Sequence, residues 1–355
     1  MGRIRVLVVE DSLTVRRRLC EVLAEDPELE VAGEAEDGRK AIDLCRTLRP
    51  DVVTLDMMLP VMTGLAATEY IMAHFATPIL IVSSSTNRGE LFKTYDALAA
   101  GAVDVLEKPA GDELQGDWDA RLRSAVKMVA RIKVITHPRG RLARTGRPAE
   151  PLLPALRPRS TRYRVVALGA STGGPAAVVQ ILRDLPADLP VPMLLVLHIG
   201  APFAPALAEW LDAQTALRVR YAVEGEPLEQ AAGAVLMAPP DRHLAVRGGR
   251  LALSDEPERH SCRPSVDVLF ESVARSCGDE AVACLLTGMG RDGAAGLLEV
   301  RRAGGLTFAQ DEATSVVYGM PREAVLLGAA ERVLPLGEIG RALSRAAVWP
   351  GEATP

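Results

Sequence analysis

The sequence predicts an α/β fold in which two doubly wound, mainly parallel-sheet domains follow one another, joined by a basic Pro/Arg-rich linker. Three observations carry that reading. Short Val/Ile/Leu-rich runs alternate with amphipathic stretches from residue 4 to about 125, the alternation resumes from 163 to about 347, and the segment between lacks apolar periodicity. Strand-length apolar runs separated by helix-length amphipathic stretches are the pattern of βαβ units, whose crossover helices cover both faces of a parallel sheet. A length of 355 residues suits two domains, and 48% hydrophobic against 25% charged content is enough for a core in each.

In the first domain (1–125) the strand candidates are IRVLVVE, LEVAGEA, DVVTLD, ILIVSSS and VDVLEKP, with Leu13 to Ala24 and Gly38 to Leu48 among the helices between them. Ligands of a doubly wound sheet sit at the carboxyl ends of its strands, and polar residues gather there. Glu10 and Asp11 close the first strand, Asp56 the third, Ser83 and Ser84 the fourth, and Lys108 the fifth, just before Pro109. Three carboxylates at adjoining strand ends repel one another unless a hard cation neutralises them, and oxygen ligands suit Mg²⁺. The set resembles the receiver domain of bacterial response regulators. That resemblance implies Asp56 as phosphoacceptor, Glu10 and Asp11 as the acids that hold the metal with it, Ser83 as the hydroxyl sensing the phosphoryl group, and Lys108 as its counter-charge. Val105 stands where many receivers carry an aromatic switch residue.

Residues 126–162 read as the linker. After Ile135 the sequence becomes HPRGRLARTGRPAEPLLPALRPRS, whose prolines forbid a continuous helix while its arginines favour solvation. Residues 121–164 carry thirteen Lys/Arg against one acid, Glu150, in a chain of net charge -5. Basicity of this kind attracts acidic partners, but no aromatics interleave, no C2H2 spacing or helix-turn-helix pattern follows, and nucleic acid is not an expected partner. The longest apolar runs, such as residues 191–197, are strand-sized and far short of the roughly 18 residues of a membrane span, so no membrane insertion is expected. The start, MGRIRVLVVEDS, meets acids at Glu10 and Asp11, unlike a signal peptide, and points to the cytoplasm. Five cysteines (Cys20, Cys45, Cys262, Cys277, Cys284) without a CxxC read as reduced, mostly buried thiols.

In the second domain (163–347) YRVVALG, VPMLLVLH, AVLMAPP, AVACLLTG and LTFAQD are buried-strand candidates, and RHLAVRGGRLALSD reads as a β-hairpin turning at Gly248-Gly249. The stretch ALGASTGGP places Ser171 in a Gly-x-Ser-x-Gly turn between strand and helix. Small neighbours permit a sharp nucleophile elbow, and the helix N-terminus offers backbone N–H groups to a developing oxyanion. The same kind of turn also cradles phosphate. His198 closes the next strand and Asp292 lies in LLTGMGRDGAAG after a later one, so nucleophile, base and orienter are expected at one sheet edge. Singly, such a histidine is more often structural and such an aspartate a turn former. The order Ser…His…Asp differs from the Ser…Asp…His order of α/β-hydrolases.

The segments GASTGGP, LHI, APPDRHLAV, RPSVDVLF, LTGMGRDGAAG and AQDEATSVVYGMPREAV resemble the catalytic domain of the chemotaxis protein-glutamate methylesterases. The resemblance implies a receiver-like domain followed by a Rossmann-like hydrolase, with Ser171 as nucleophile, His198 as general base then acid, Asp292 orienting the imidazole, and Thr172 and Met289 near the oxyanion. It implies a phosphorylation-activated enzyme that releases methanol from glutamate methyl esters on chemoreceptors and deamidates their glutamines. Its partners would be a chemotaxis histidine kinase as phosphodonor and methyl-accepting receptors as substrate, with Mg²⁺ in the receiver and no cofactor in the catalytic domain. Leu197 precedes the histidine and Ile-Gly follows it, where the family often has Gln and Met-Pro. Two other functions fit parts of the pattern: a phosphorylation-gated receptor adaptor without catalysis, and a regulated esterase of another acyl substrate. A DNA-binding regulator would carry a basic recognition helix.

Overall fold

The computed structural model describes residues 2–84, 87–109, 115–132, 134 and 163–347. The chain divides into two compact units, each an α/β sandwich.

The first unit runs β1 (Ile4–Val9), α1 (Leu13–Ala24), β2 (Leu29–Ala35), α2 (Gly38–Leu48), β3 (Val52–Leu55), α3 (Gly64–His74), β4 (Ile79–Ser83), α4 (Arg88–Ala99), β5 (Asp104–Glu107) and α5 (Gln115–Val129). Its strands form a parallel sheet in the order β2-β1-β3-β4-β5. All four residues of β3 and all five of β4 are buried, as strands covered on both faces must be. Polar residues start the helices: the side chains of Ser12, Asp37, Thr63 and Asn87 each accept a backbone N–H of the following first turn, worth about 1 kcal/mol apiece. The strand order reverses between β1 and β3, so a crevice opens beyond Glu10, Asp11 and Asp56. Helix α5 continues four residues past the boundary expected at 125, because the apolar positions Val126 and Val129 are buried. The linker expected from HPRGRLARTGRPAEPLLPALRPRS lies outside the described residues.

The second unit contains β6 (Val165–Ala170), α6 (Gly174–Asp184), β7 (Met193–Leu197), α7 (Leu207–Asp212), β8 (Arg218–Tyr221), β9 (Ala234–Met237), β10 (His243–Arg247), β11 (Arg250–Ser254), α8 (Val266–Cys277), β12 (Ala281–Leu285), α9 (Ala294–Arg302), β13 (Leu306–Gln310), α10 (Met320–Leu326), β14 (Arg332–Leu334) and α11 (Leu336–Ala347). Seven strands pair in parallel in the order β14-β13-β12-β6-β7-β9-β8. On one face Phe270 and Val273 of α8 and Leu297 of α9 pack against Val165, Ala167, Leu194 and Leu236 of the sheet. Buried Ile181 and Leu182 of α6 and Leu343 of α11 belong to the helix pair on the β6 side. The hairpin is present: Arg247 pairs with Arg250 across Gly248 and Gly249, whose φ values of 56° and 74° are those of a two-residue turn.

Candidate active site

The turn after β6 is built by close approach. Gly173 has φ 76°, and a Cβ there would lie 2.5 Å from Val316 Cβ; one on Gly174 would lie 2.5 Å from Leu197 Cδ1. Only glycines let α6 begin directly behind Ser171, and Pro175 fits its first turn. The Ser171 N–H donates to Thr287 O at 3.0 Å, and a Cβ on Gly288 would stand 2.8 Å from Ser171 Cβ, so the loop after β12 crosses immediately over the serine. Thr172 is tied to the same loop, its carbonyl accepting Thr287 Oγ1 at 3.0 Å. Met289, further along that loop, is 57% exposed.

His198 begins where β7 ends, and its N–H donates to Ala170 O at 3.0 Å, which carries the β6–β7 ladder one step further and sets His198 beside Ser171 at adjoining strand ends. Its ring nitrogens face two other side chains. Nε2 is 3.1 Å from Asp292 Oδ2, and Nδ1 is 3.8 Å from Cys262 Sγ. The structure thus brings imidazole and carboxylate together as expected, and places Ser171 at the strand end adjoining that of His198.

Asp292 is 2% exposed, yet its carboxylate has abundant donors at the start of α8. Ser265 Oγ donates at 2.7 Å, the Val266 N–H at 2.7 Å and the Asp267 N–H at 3.0 Å. A helix N-terminus favours an anion for this reason. Burial pushes the Asp292 carboxyl up, but His198 and these donors outweigh it and hold it below the usual carboxylate range. The opposite balance governs His198: burial opposes its charge, contact with Asp292 and then Cys262 overrides burial, and the ring is pushed up to about 9.

The sequence patterns do not mark Ser265, Asp267 or His260 as site residues, and they mark Cys262 only as a reduced thiol. Ser265 is also the N-cap of α8, its hydroxyl accepting the Val268 N–H, and a serine directly before an amphipathic run is a readable helix start. Asp267 is fully buried, receives the Gly296 N–H at 2.6 Å and lies 3.0 Å from His260 Nε2. Nothing in its spacing announces that role. The expectation of mostly buried thiols holds for Cys45, Cys277 and Cys284, whereas Cys20 and Cys262 are half-buried.

In the first unit, Glu10, Asp11 and Asp56 each offer a carboxylate oxygen within 4.8 Å of the others. Lys108 Nζ lies 2.8 Å from Glu10 Oε2 and 3.1 Å from Asp56 Oδ2. Glu10 is raised above its ordinary value chiefly by burial, against the pull of Lys108; burial depresses Lys108, but Glu10 and Asp56 more than compensate and leave it raised. Ser83 is buried at the end of β4, and its carbonyl accepts the Lys108 N–H at 3.0 Å, fixing the two residues side by side. A set of hard oxygen donors at a strand-end crevice fits Mg²⁺. Among the described residues no helix is long and apolar enough to cross a membrane.

Residues 166–343 match the CheB methylesterase family and residues 6–115 the response regulator receiver domain. A protein-glutamate methylesterase/protein-glutamine glutaminase of Anaeromyxobacter dehalogenans is 47% identical, covering 96% of this chain and 96% of its own. Similarly named proteins of Myxococcus xanthus and Nitrosospira multiformis are 45% and 44% identical, over 97% and 98% of both chains respectively. Both domain matches fall on the two α/β units, in order, and the relatives share the whole arrangement; the chain belongs to the CheB methylesterase family, with a response-regulator receiver domain ahead of the esterase domain.

Proposed function

We propose that the chain demethylates glutamate methyl esters on chemoreceptors, deamidates their glutamines, and does both under control of phosphorylation at Asp56. The observation that carries the chemistry is the His198–Asp292 contact of 3.1 Å at the strand end adjoining Ser171. With the neutral ring protonated at Nε2, beside Asp292 Oδ2, the Nδ1 lone pair is the base. Ser171 Oγ attacks the ester carbonyl while Nδ1 takes its proton, and the oxyanion forms where the N-terminus of α6 and the Thr172 and Met289 region supply donors. Collapse releases methanol, protonated by the imidazolium. Water then attacks the acyl-enzyme, Nδ1 accepts its proton, and Ser171 leaves with that proton as glutamate departs. A glutamine side chain follows the same course and releases ammonia.

In the receiver, Glu10, Asp11 and Asp56 would hold Mg²⁺, which neutralises charge as a histidine kinase's phosphoryl group is transferred to Asp56. Lys108 then pairs with the phosphoryl oxygens and Ser83 senses them. Phosphorylation adds roughly -1.5 to -2 charges at Asp56, and that change of charge is the signal that would raise esterase activity. Methanol release from methylated receptor membranes tests the reading: it should rise on adding a small-molecule phosphodonor with Mg²⁺. Receptor binding without methanol release would replace it with a phosphorylation-gated adaptor.

A further inference from the structure

A thiol that the proposed reaction does not use stands against the imidazole. Cys262 Sγ lies 3.8 Å from His198 Nδ1, and its S–H is directed at His260 O, 3.4 Å away. Three of the other cysteines are buried, whereas Cys262 is half-buried on the wall of a cavity of about 530 Å³ that Met289 and Asp292 also line. The thiol is therefore within reach of solutes.

The spacing is that of two ligands on one metal ion. Sulfur at 2.3 Å and nitrogen at 2.0–2.1 Å from a tetrahedral Zn²⁺ are about 3.6 Å apart, and the observed 3.8 Å needs only a small side-chain adjustment. Histidines that ligate metals almost always donate their second N–H to a carboxylate, which fixes the tautomer and raises ligand basicity. Asp292 already occupies that place at 3.1 Å from Nε2, and its carboxylate is itself held by Ser265, Val266 and Asp267. The donors differ in kind from those of Glu10, Asp11 and Asp56: sulfur and imidazole nitrogen select borderline-soft ions, carboxylate oxygens hard ones.

We propose that Cys262 Sγ and His198 Nδ1 bind a thiophilic divalent cation of the Zn²⁺ class, and that this cation switches the esterase off. The inhibitory part rests on the reading of His198 as the base. On binding, the S–H bond breaks, its proton passes to solvent and the thiolate pair forms the bond to the metal; Nδ1 donates its lone pair to the same ion. No electrons are transferred. With that lone pair engaged, His198 cannot take the proton of Ser171. Two protein ligands leave the other positions to water, so a chelator reverses the block.

The test uses the full chain in large excess of Mg²⁺, which competes for the receiver carboxylates by concentration, with Co²⁺ and Zn²⁺ each added alone as probes. Co²⁺ should give a thiolate-to-cobalt charge-transfer absorption in the near ultraviolet that disappears in Cys262→Ser and weakens in His198→Gln. Zn²⁺ should lower methanol release reversibly, and Cys262→Ser, normalised to its own metal-free rate, should need roughly tenfold or more Zn²⁺ for the same fractional loss. Absence of the absorption, or its persistence in Cys262→Ser, overturns the site. Equal Zn²⁺ sensitivity in both proteins overturns the inhibition. A chain that shows the absorption but releases no methanol without metal would fail the esterase reading and leave the metal site standing.

Discussion

The two units bury carboxylates at the ends of parallel strands and treat them in opposite ways. In the receiver, Glu10 and Asp56 are 1% and 4% exposed and share the Lys108 ammonium; burial drives Glu10 up, repulsion from Asp56 adds to it, and Lys108 offsets only part of the rise. In the esterase, Asp292 is equally buried but meets a serine hydroxyl, backbone N–H groups of α8 and an imidazole, and is held down. Buried charge is costly unless it is paired and hydrogen-bonded. An under-compensated cluster recruits a cation or a phosphoryl group; a fully compensated carboxylate is a fixed part. The first is a place for exchange and the second for orientation.

The largest effect that would sharpen this contrast is on turnover. Ser171→Ala and His198→Ala should each lower methanol release on the order of 10⁶-fold, and Asp292→Asn by about 10⁴, since an orienting group contributes less than the group it orients. Near-normal release by Ser171→Ala would break the esterase side outright. On the receiver side, phosphodonor labelling should vanish in Asp56→Ala and on chelation of divalent cations; labelling that survives either treatment would mean that the cluster recruits nothing. Removal of residues 1 to about 135 should raise basal methanol release roughly 5- to 150-fold, the range of a 1–3 kcal/mol coupling. An unchanged or lower rate would show that the receiver does not restrain the esterase.

A pH profile separates the two treatments more finely. Because His198 must be neutral to act as base and its contacts push it up to about 9, methanol release should climb with pH and level off above that value. Asp292→Asn removes the main contact that raises the ring, so the midpoint should move to lower pH; an unmoved midpoint would mean that the carboxylate does not govern the imidazole. The smallest effect is on stability. Ser265→Ala removes both a donor to Asp292 and the cap of α8 and should destabilise by about 1–3 kcal/mol in denaturant unfolding. No measurable change would show that the backbone N–H groups alone satisfy Asp292.

Much of this was legible in the sequence because strand ends are legible. Val/Ile/Leu runs end abruptly at Glu10, Asp56, Ser83, Ser171 and His198, and a parallel sheet brings such ends to one edge. Other elements carry no such signal. Strands β8 and β14 lie at the two edges of their sheet; Arg218-Val-Arg-Tyr221 is half charged and Arg332–Leu334 is three residues long, so neither shows an apolar run. Helix α5 ends beyond the boundary expected at 125 because Arg and Lys residues between Trp118 and Val129 mask a stripe that is buried. The contacts of Ser265 and Cys262 leave no mark in the sequence because their meeting with Asp292 and His198 spans separations of 27 and 64 residues. Periodicity records which face of an element is buried, not which distant side chain it will meet.

The loop over Ser171 has a mechanical meaning. Ser171 N is bonded to Thr287 O, Gly288 N to Val317 O, and Met320 N to Gly288 O, so three separate stretches of chain are stitched into one seam. A Cβ on Gly288 would collide with both Met320 Sδ, at 2.3 Å, and Ser171 Cβ, at 2.8 Å, leaving no slack in the stitching. The serine is thus clamped in a vice whose far jaw is the 314–320 segment, and anything pressing on the rim pushes against a braced wall. Local opening of that far jaw would release the serine with it, so the amides of Ser171, Gly288 and Met320 belong to a single cooperative unit of hydrogen exchange.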